Sequence, residues 1–208
     1  MSRTEGGTTP SVFIIESTTR KDEKKGRREG SAISEILNLI NKKFEYHYFS
    51  SRVRLEPLLK EFVRSRFRYL HLACHGTEDR KGLAFRNDEI SFPDLAAIVT
   101  PYLDKRRLFV SACAGVRKAF AVPLLEKSKC YSVIGPANDV DFADAALAWS
   151  SFYVLAFRCN ERVMQSETIR QTLRDITSIF DVQFNAYFRK SKPPYYRYVS
   201  IPAKSTDL

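Results

Sequence analysis

The chain has 208 residues, of which 44% are hydrophobic and 28% are charged, a composition typical of a globular protein with a sizeable core. Neither an apolar run long enough to span a membrane, roughly 18 residues, nor an apolar leader typical of secretion occurs in it. The four cysteines form no CxxC pair, so we expect reduced thiols in the cytoplasm rather than a disulfide framework.

The formal net charge of +10 is explained by a solvated basic surface, and an acidic partner such as nucleic acid or anionic lipid is the alternative. No nucleic-acid-binding motif accompanies the basic residues. Nucleic acid therefore enters as a partner only indirectly, through the basic surface.

Residues 1–10 are polar and predict a flexible N-terminal arm, residues 11–203 predict a single domain, and residues 204–208 predict a tail. Within the domain, apolar runs predict strands and helical spacing predicts helices. The predicted strands are 11–16, 44–49, 69–76, 108–115, 131–135 and 197–201, and the predicted helices are 32–43, 55–66, 94–103, 119–127, 141–158 and 166–188.

Residues 81–92 predict a β-hairpin, and the charged segment 18–31 with its two glycines predicts an exposed loop. Strands and helices otherwise alternate along the chain. This alternation predicts an α/β fold, a three-layer sandwich in which helices cover both faces of a mainly parallel sheet.

Two of the predicted strands end in residues that can carry chemistry. The run YLHLACHG ends at His75-Gly76, and the run LFVSACAG contains Cys113 followed by Ala114 and Gly115. The carboxyl ends of parallel strands line one edge of a sheet, where ligand crevices form. If these strands are neighbours, an imidazole and a thiol meet there, which is the minimum equipment for cysteine nucleophilic catalysis.

Histidine titrates near neutral pH and can serve as the base, while Gly76 allows the backbone to approach a substrate closely. The backbone N–H groups of Gly76 and Cys113 are candidates for an oxyanion hole. A lone cysteine or histidine in an apolar run is usually structural, and His47, His71 and Cys74 compete as candidates. His71 lies four residues deeper than His75, which favours a core role.

Four segments resemble the caspase-like clan of cysteine peptidases and, within it, the CHAT domains related to separase. They are residues 70–76 (LHLACHG), 82–99, 110–115 (VSACAG) and 133–153, and the resemblance extends over residues 11–201. It implies a caspase–haemoglobinase-like sandwich with a sheet of about six strands, the last antiparallel. It also implies that His75 is the base, Cys113 the nucleophile, and the oxyanion hole lies near Gly76.

The segment after the fifth predicted strand departs from these relatives, because it lacks a tryptophan and the second of two aspartates. In separase and other clan members, an acidic residue near this place receives a basic P1 side chain. Asp141 is our first candidate for that role, followed by Asp144 and Asp139. Helix capping by Asp139 or Asp141 is the alternative.

These observations predict a cysteine endopeptidase, a thiol protease that needs no cofactor or metal and cleaves a protein partner after a basic residue. The resemblance implies control by a regulatory protein partner and a role in bacterial antiviral defence or cell death. The alternative is a catalytically silent caspase-like module that binds or regulates other proteins. A nucleotide site is disfavoured, because no GxGxxG motif follows the first strand.

Overall fold

A computed structural model describes residues 7–203. Its strands are β1 (Thr9–Glu16), β2 (Phe44–Tyr48), β3 (Phe67–Ala73), β4 (His75–Gly76), β5 (Gly82–Ala84), β6 (Glu89–Ser91), β7 (Arg107–Ser111), β8 (Ser132–Pro136), β9 (Phe184–Arg189) and β10 (Tyr196–Ile201). Its α-helices are α1 (Arg20–Lys24), α2 (Glu29–Leu39), α3 (Leu55–Ser65), α4 (Phe92–Val99), α5 (Lys118–Lys127), α6 (Phe142–Cys159) and α7 (Ser166–Thr177).

Seven of the strands form the central sheet in the order β10-β9-β8-β7-β3-β1-β2. Neighbouring strands are parallel from β8 to β2, whereas β9 runs antiparallel to both β8 and β10. The carboxyl ends of β7, β3 and β1 therefore lie side by side in the middle of the sheet. Strands β4, β5 and β6 form a separate antiparallel sheet beyond the end of β3.

Helices cover both faces of the central sheet, as the alternation of elements predicts. Along β1, Phe13 and Ile15 pack into a core with α3, α4 and α5, whereas Val12 and Ile14 pack into a second core with α2, α6 and α7. Because successive side chains of a strand point to opposite faces, the buried residues 11–16 of β1 contribute to both cores. The predicted three-layer α/β sandwich is confirmed. The expectation that the last strand is the antiparallel one is wrong, because β9 reverses direction between β8 and β10, and β10 runs the same way as β8.

Two segments differ from the sequence-based prediction. The expected loop at 18–31 is wrong, because α1 and the start of α2 occupy it; the hydroxyl of Thr19 caps α1 by accepting a hydrogen bond from the backbone N–H of Asp22. The expected helix at 166–188 is also wrong, because α7 ends at Thr177 and the chain continues as β9. This strand pairs with β8 on one side and β10 on the other, and five of its six residues are buried, so it lacks the alternation of buried and exposed positions that marks a strand.

The limits of the domain also differ slightly from the prediction. Strand β1 begins at Thr9, inside the segment 1–10 that we expected to be an arm. Residues 1–6 and 204–208 lie outside the described part of the chain. Among residues 7–203, no helix combines the length and the apolar character needed to cross a membrane.

Candidate active site

The ends of β3 and β7 bring the two predicted catalytic residues to the same edge of the sheet. The strands pair in register, with Ala73 beside Ser111, and the backbone N–H of Cys74 donates to the carbonyl of Ser111 at 2.9 Å. Beyond this point β3 does not continue. The chain bends into β4, where His75 pairs with Ala84 of β5 instead of remaining in the central sheet.

Gly76 shows how closely the two chain segments approach each other. A Cβ atom added to Gly76 would lie 2.1 Å from the carbonyl oxygen of Cys113 and 3.4 Å from its Cβ atom. Any side chain at this position would therefore displace the backbone that carries the thiol. The glycine that the sequence places after His75 is required by the contact between the two motifs.

Cys113 lies in a tight turn that follows the end of β7. The next residue, Ala114, has a φ of 49°, a left-handed conformation that residues with a side chain seldom adopt. Two hydrogen bonds hold the turn: the N–H of Ala114 donates to the carbonyl of Asn138, and the N–H of Gly115 donates to that of Ala112, each at 2.9 Å.

The Cys113 sulfur is only partly buried and contacts the chain that follows β8. The thiol donates to the carbonyl oxygen of Val140 at 3.6 Å, and the backbone N–H of Val140 approaches the sulfur at 3.5 Å. The turn thus fixes the sulfur between the end of β7 and the start of α6.

A cavity of about 70 Å³ lies between the two motifs. His75 and Cys113 both line it, together with the end of β1, the start of α2, and residues around the start of α6. This arrangement is the crevice that the strand order predicts. In the described residues, no three His, Cys, Asp or Glu side chains converge closely enough to hold a metal ion.

Two carboxylates that sequence reasoning missed also line this cavity. Glu16, the last residue of β1, is 1% exposed; its carboxylate accepts hydrogen bonds from the backbone N–H of Gly30 at 2.9 Å and from the hydroxyl of Tyr46 at 2.6 Å. Burial raises the pKa of Glu16, the two hydrogen bonds oppose this effect, and the nearby charge of Glu29 adds to it.

Glu29, the first residue of α2, is 6% exposed, and its Oε1 atom has no hydrogen-bond partner within residues 7–203. The nearest cationic candidate is Nε2 of His71, 3.9 Å away, which is too far for a hydrogen bond. His71 itself is fully buried and shares a 3.0 Å hydrogen bond through Nδ1 with the hydroxyl of Tyr153, the core position that its depth in the strand predicts.

The three aspartates that we considered for a P1 pocket lie outside the lining of the cavity. Asp141 caps α6, because its carboxylate accepts a hydrogen bond from the N–H of Ala143 at 2.8 Å. This is the helix-capping role that the sequence offered as the alternative to a P1 pocket. Asp139 is exposed and forms an ion pair with Arg80 at 2.6 Å. Asp144 is in the first turn of α6, while Val140, Phe142 and Ala145 provide the lining there.

The other cysteines differ from Cys113 in their surroundings. Burial raises the pKa of the Cys74 thiol far above its ordinary value, and the charges of Glu29 and Cys113 add to the effect. Burial likewise raises the pKa of Cys130 to about 12, and Cys159 is exposed at the end of α6. Because the thiolate is the nucleophilic form, Cys74 and Cys130 are poorly suited to catalysis near neutral pH.

A third polar residue, Asp22 of α1, contacts the imidazole of His75. Its Oδ2 atom lies 3.2 Å from Nε2 of His75. No local sequence pattern points to Asp22, because it belongs to the charged segment that resembles a loop.

Comparison with known proteins supports the fold but gives no evidence on catalytic activity. No family model matches the chain, and no curated protein is significantly similar in sequence. The crystal structure of caspase-1 from Spodoptera frugiperda is similar over 100% of this chain and 98% of its own, with a TM-score of 0.52 and 12% identity. Flavodoxin 2 from Bacillus cereus covers 67% of this chain and 94% of its own, with a TM-score of 0.39 and 11% identity. The chain therefore has a caspase-like fold.

Proposed function

We propose that this protein is a cysteine endopeptidase in which Cys113 is the nucleophile and His75 is the general base. The observation that carries the proposal is that both residues line one cavity at adjacent strand ends, with the backbone of Gly76 in contact with Cys113. A caspase-like fold agrees with this chemistry, and we propose the closer relationship to CHAT domains and separase on the quoted motifs.

The reaction follows from the two groups. His75 removes the proton from the Cys113 thiol, and the thiolate attacks the carbonyl carbon of the scissile peptide. The negative charge that develops on the oxygen is stabilised by the backbone N–H groups of Gly76 and Cys113, the proposed oxyanion hole. The imidazolium returns its proton to the leaving amine, and water then hydrolyses the thioester.

The dimensions of the cavity support control by a second protein. At about 70 Å³, it is much smaller than the about 300–1,000 Å³ of ordinary ligand pockets, and the Cys113 sulfur is engaged by Val140. We propose that a regulatory partner opens the site, in the cytoplasm and within a defence or cell-death pathway. A catalytically silent binding module is the alternative function, and a cavity this small is compatible with it.

Substitution of the nucleophile separates these two functions. Cys113→Ala should abolish peptide cleavage while leaving thermal stability unchanged, and Cys159→Ala, which removes an exposed thiol, should cleave like the wild type. Each protein is assayed on a peptide library, with and without candidate partner proteins. Equal turnover by wild type and Cys113→Ala would exclude the peptidase.

We propose that the substrate carries Lys or Arg at the cleaved position. The support is electrostatic: the lining includes the buried carboxylates of Glu16 and Glu29, and Oε1 of Glu29 has no partner among the described residues. A buried carboxylate without a partner is costly, and a cationic substrate side chain would supply the partner. Asp141, Asp144 and Asp139 are the alternative pocket residues, at the start of α6 and just before it.

Amide substitutions distinguish the two sets of carboxylates. We expect Glu29→Gln to lower kcat/KM for substrates with Lys or Arg at P1 by about 10- to 100-fold, or about 1.4 to 2.8 kcal/mol, with little change for other residues. Asp141→Asn, which keeps a capping side chain, is the comparison. A wild-type preference for an acidic or aliphatic P1 residue would contradict the basic pocket, and a loss confined to Asp141→Asn would assign it to the start of α6.

A further inference from the structure

Asp22 is held in a fixed position beside His75. The short helix α1 begins after Thr19, whose hydroxyl accepts a hydrogen bond from the N–H of Asp22 at 3.1 Å and donates one to Oδ2 of the same residue. Oδ2 is also the atom 3.2 Å from Nε2 of His75. Asp22 is 9% exposed, so water competes little for its carboxylate.

The neighbouring residue, Glu23, fastens α1 to the rest of the site. Its carboxylate forms ion pairs with Arg86, in the turn between β5 and β6, and with Arg28. The backbone N–H of Arg86 donates to the hydroxyl of Ser17 at 3.0 Å, at the end of β1. Helix α1, the hairpin that follows His75 and the central sheet are thus linked by polar contacts around the imidazole.

The surroundings of Asp22 keep its carboxylate ionised. Burial acts to raise its pKa, but the hydrogen bond from Thr19 and the positive charges of His75 and Arg27 outweigh burial, so the pKa lies below its ordinary value. Arg27 is 3.6 Å away, on Oδ1. Oδ2 therefore presents a negative charge to the imidazole near neutral pH.

We propose that Asp22 is a positioning residue for His75, which makes the site a Cys–His–Asp arrangement rather than a dyad. Its carboxylate accepts the Nε2–H of His75, and this leaves Nδ1 as the nitrogen that takes the proton from the Cys113 thiol. The imidazolium formed in this step is stabilised by the carboxylate, which does not take up the proton itself. The inference rests on the proposed peptidase function for its catalytic consequence, but the hydrogen bond itself does not depend on it.

The test compares Asp22→Asn and Asp22→Ala with a matched control on the same helix. Asp22→Asn keeps the size of the side chain and removes its charge, whereas Asp22→Ala also removes the acceptor for Nε2–H. Lys24→Gln also removes one charge from α1, two residues away, at a side chain that is exposed to solvent. Thermal unfolding shows whether each variant is folded.

For peptide cleavage we expect kcat to fall about 10- to 100-fold in both Asp22 variants, part of the about 100- to 10,000-fold that a general base contributes. KM should not change, because Asp22 contacts the base and not the substrate. Lys24→Gln should retain the kcat of the wild type. Wild-type kcat in the Asp22 variants, or an equal loss in Lys24→Gln, would overturn the proposal.

A second measurement needs no substrate. The chain contains three histidines, and the nitrogen-15 shifts of their rings report which nitrogen carries the proton in the neutral form. We expect His75 to occupy the Nε2–H tautomer in the wild type and a mixture of tautomers in Asp22→Ala, with His47 and His71 unchanged as internal references.

Peptide cleavage tests the proposed peptidase function, whereas the nitrogen-15 shifts test the role of Asp22 independently of it. If wild type and Cys113→Ala are equally inactive, the peptidase proposal is lost and the nitrogen shifts alone decide the role of Asp22. A His75 tautomer that is the same in wild type and Asp22→Ala would then overturn the positioning role, and a change confined to His75 would support it.

Discussion

Gly76→Ala is the substitution that most directly tests whether the contact between the two motifs organises the site. The added Cβ would lie 2.1 Å from the carbonyl oxygen of Cys113, a backbone atom that cannot rotate away. Ordinary van der Waals contact begins at 3.4 Å, so the two segments must separate by about 1.3 Å, the difference between these distances. A misplacement of about 1 Å can cost about 100-fold in rate.

We therefore expect Gly76→Ala to lose about 100-fold in kcat/KM while losing only about 1–3 kcal/mol of stability, the usual cost of overpacking. For a domain of this size, each kcal/mol corresponds to roughly 2–4 °C in Tm. Peptide cleavage measures the first effect, and thermal unfolding measures the second.

Two further glycines provide controls for this experiment. An added Cβ at Gly82 would also lie 2.1 Å from a backbone oxygen, that of Ile90 in the hairpin, whereas Gly7 has no atom within 4 Å. Gly82→Ala should lose comparable stability and keep most of its turnover, and Gly7→Ala should match the wild type in both. Wild-type turnover in Gly76→Ala would refute the reasoning, and equal inactivity of Gly82→Ala would attribute the loss to the hairpin as a whole.

Three other predictions concern thiols, pH and activation. At neutral pH, iodoacetamide should label Cys113 faster than Cys74, Cys130 or Cys159, as mass spectrometry of tryptic peptides can show; preferential labelling elsewhere would contradict the choice of nucleophile. Because burial raises the pKa of Glu16 in the folded protein, the folded state binds its proton more tightly than the unfolded state, and stability falls as pH rises from the ordinary pKa to the raised one. Glu16→Gln removes this loss, so its stability relative to wild type in urea unfolding should increase with pH across that window; a constant difference would contradict it. The isolated chain should be poorly active and gain turnover with its partner, whereas high activity of the purified chain alone would argue against control by a second protein.

Much of the fold follows from local patterns in the sequence. Strands β1 and β3 and helices α3 and α6 lie close to where apolar periodicity predicts them, because each buries a continuous run or a single face. Strand β9 was missed because its residues are buried on both sides, and a short apolar run of this kind cannot be told from a helix by periodicity alone. Its identity is decided by pairing with β8 and β10, which is a tertiary contact.

The same division applies to the candidate site. His75, Cys113 and Gly76 could be named from the sequence because glycines follow apolar runs at both strand ends. Glu16 also lies at the carboxyl end of a predicted parallel strand, and β1 is the neighbour of β3. The position of Glu16 in the sequence therefore also predicts a carboxylate at the crevice.

Asp22 and Glu29 required information that no local pattern carries. Both lie in a segment rich in charged residues, which resembles a solvated loop until the partners of those charges are known. Glu23 meets Arg86 from a hairpin more than sixty residues away in the chain, and this long-range ion pair helps to hold α1 over the strand ends. Once α1 is held there, Asp22 contacts the imidazole and α2 begins with Glu29 at the cavity. The charged residues that made this segment resemble a loop therefore form some of the contacts that complete the site.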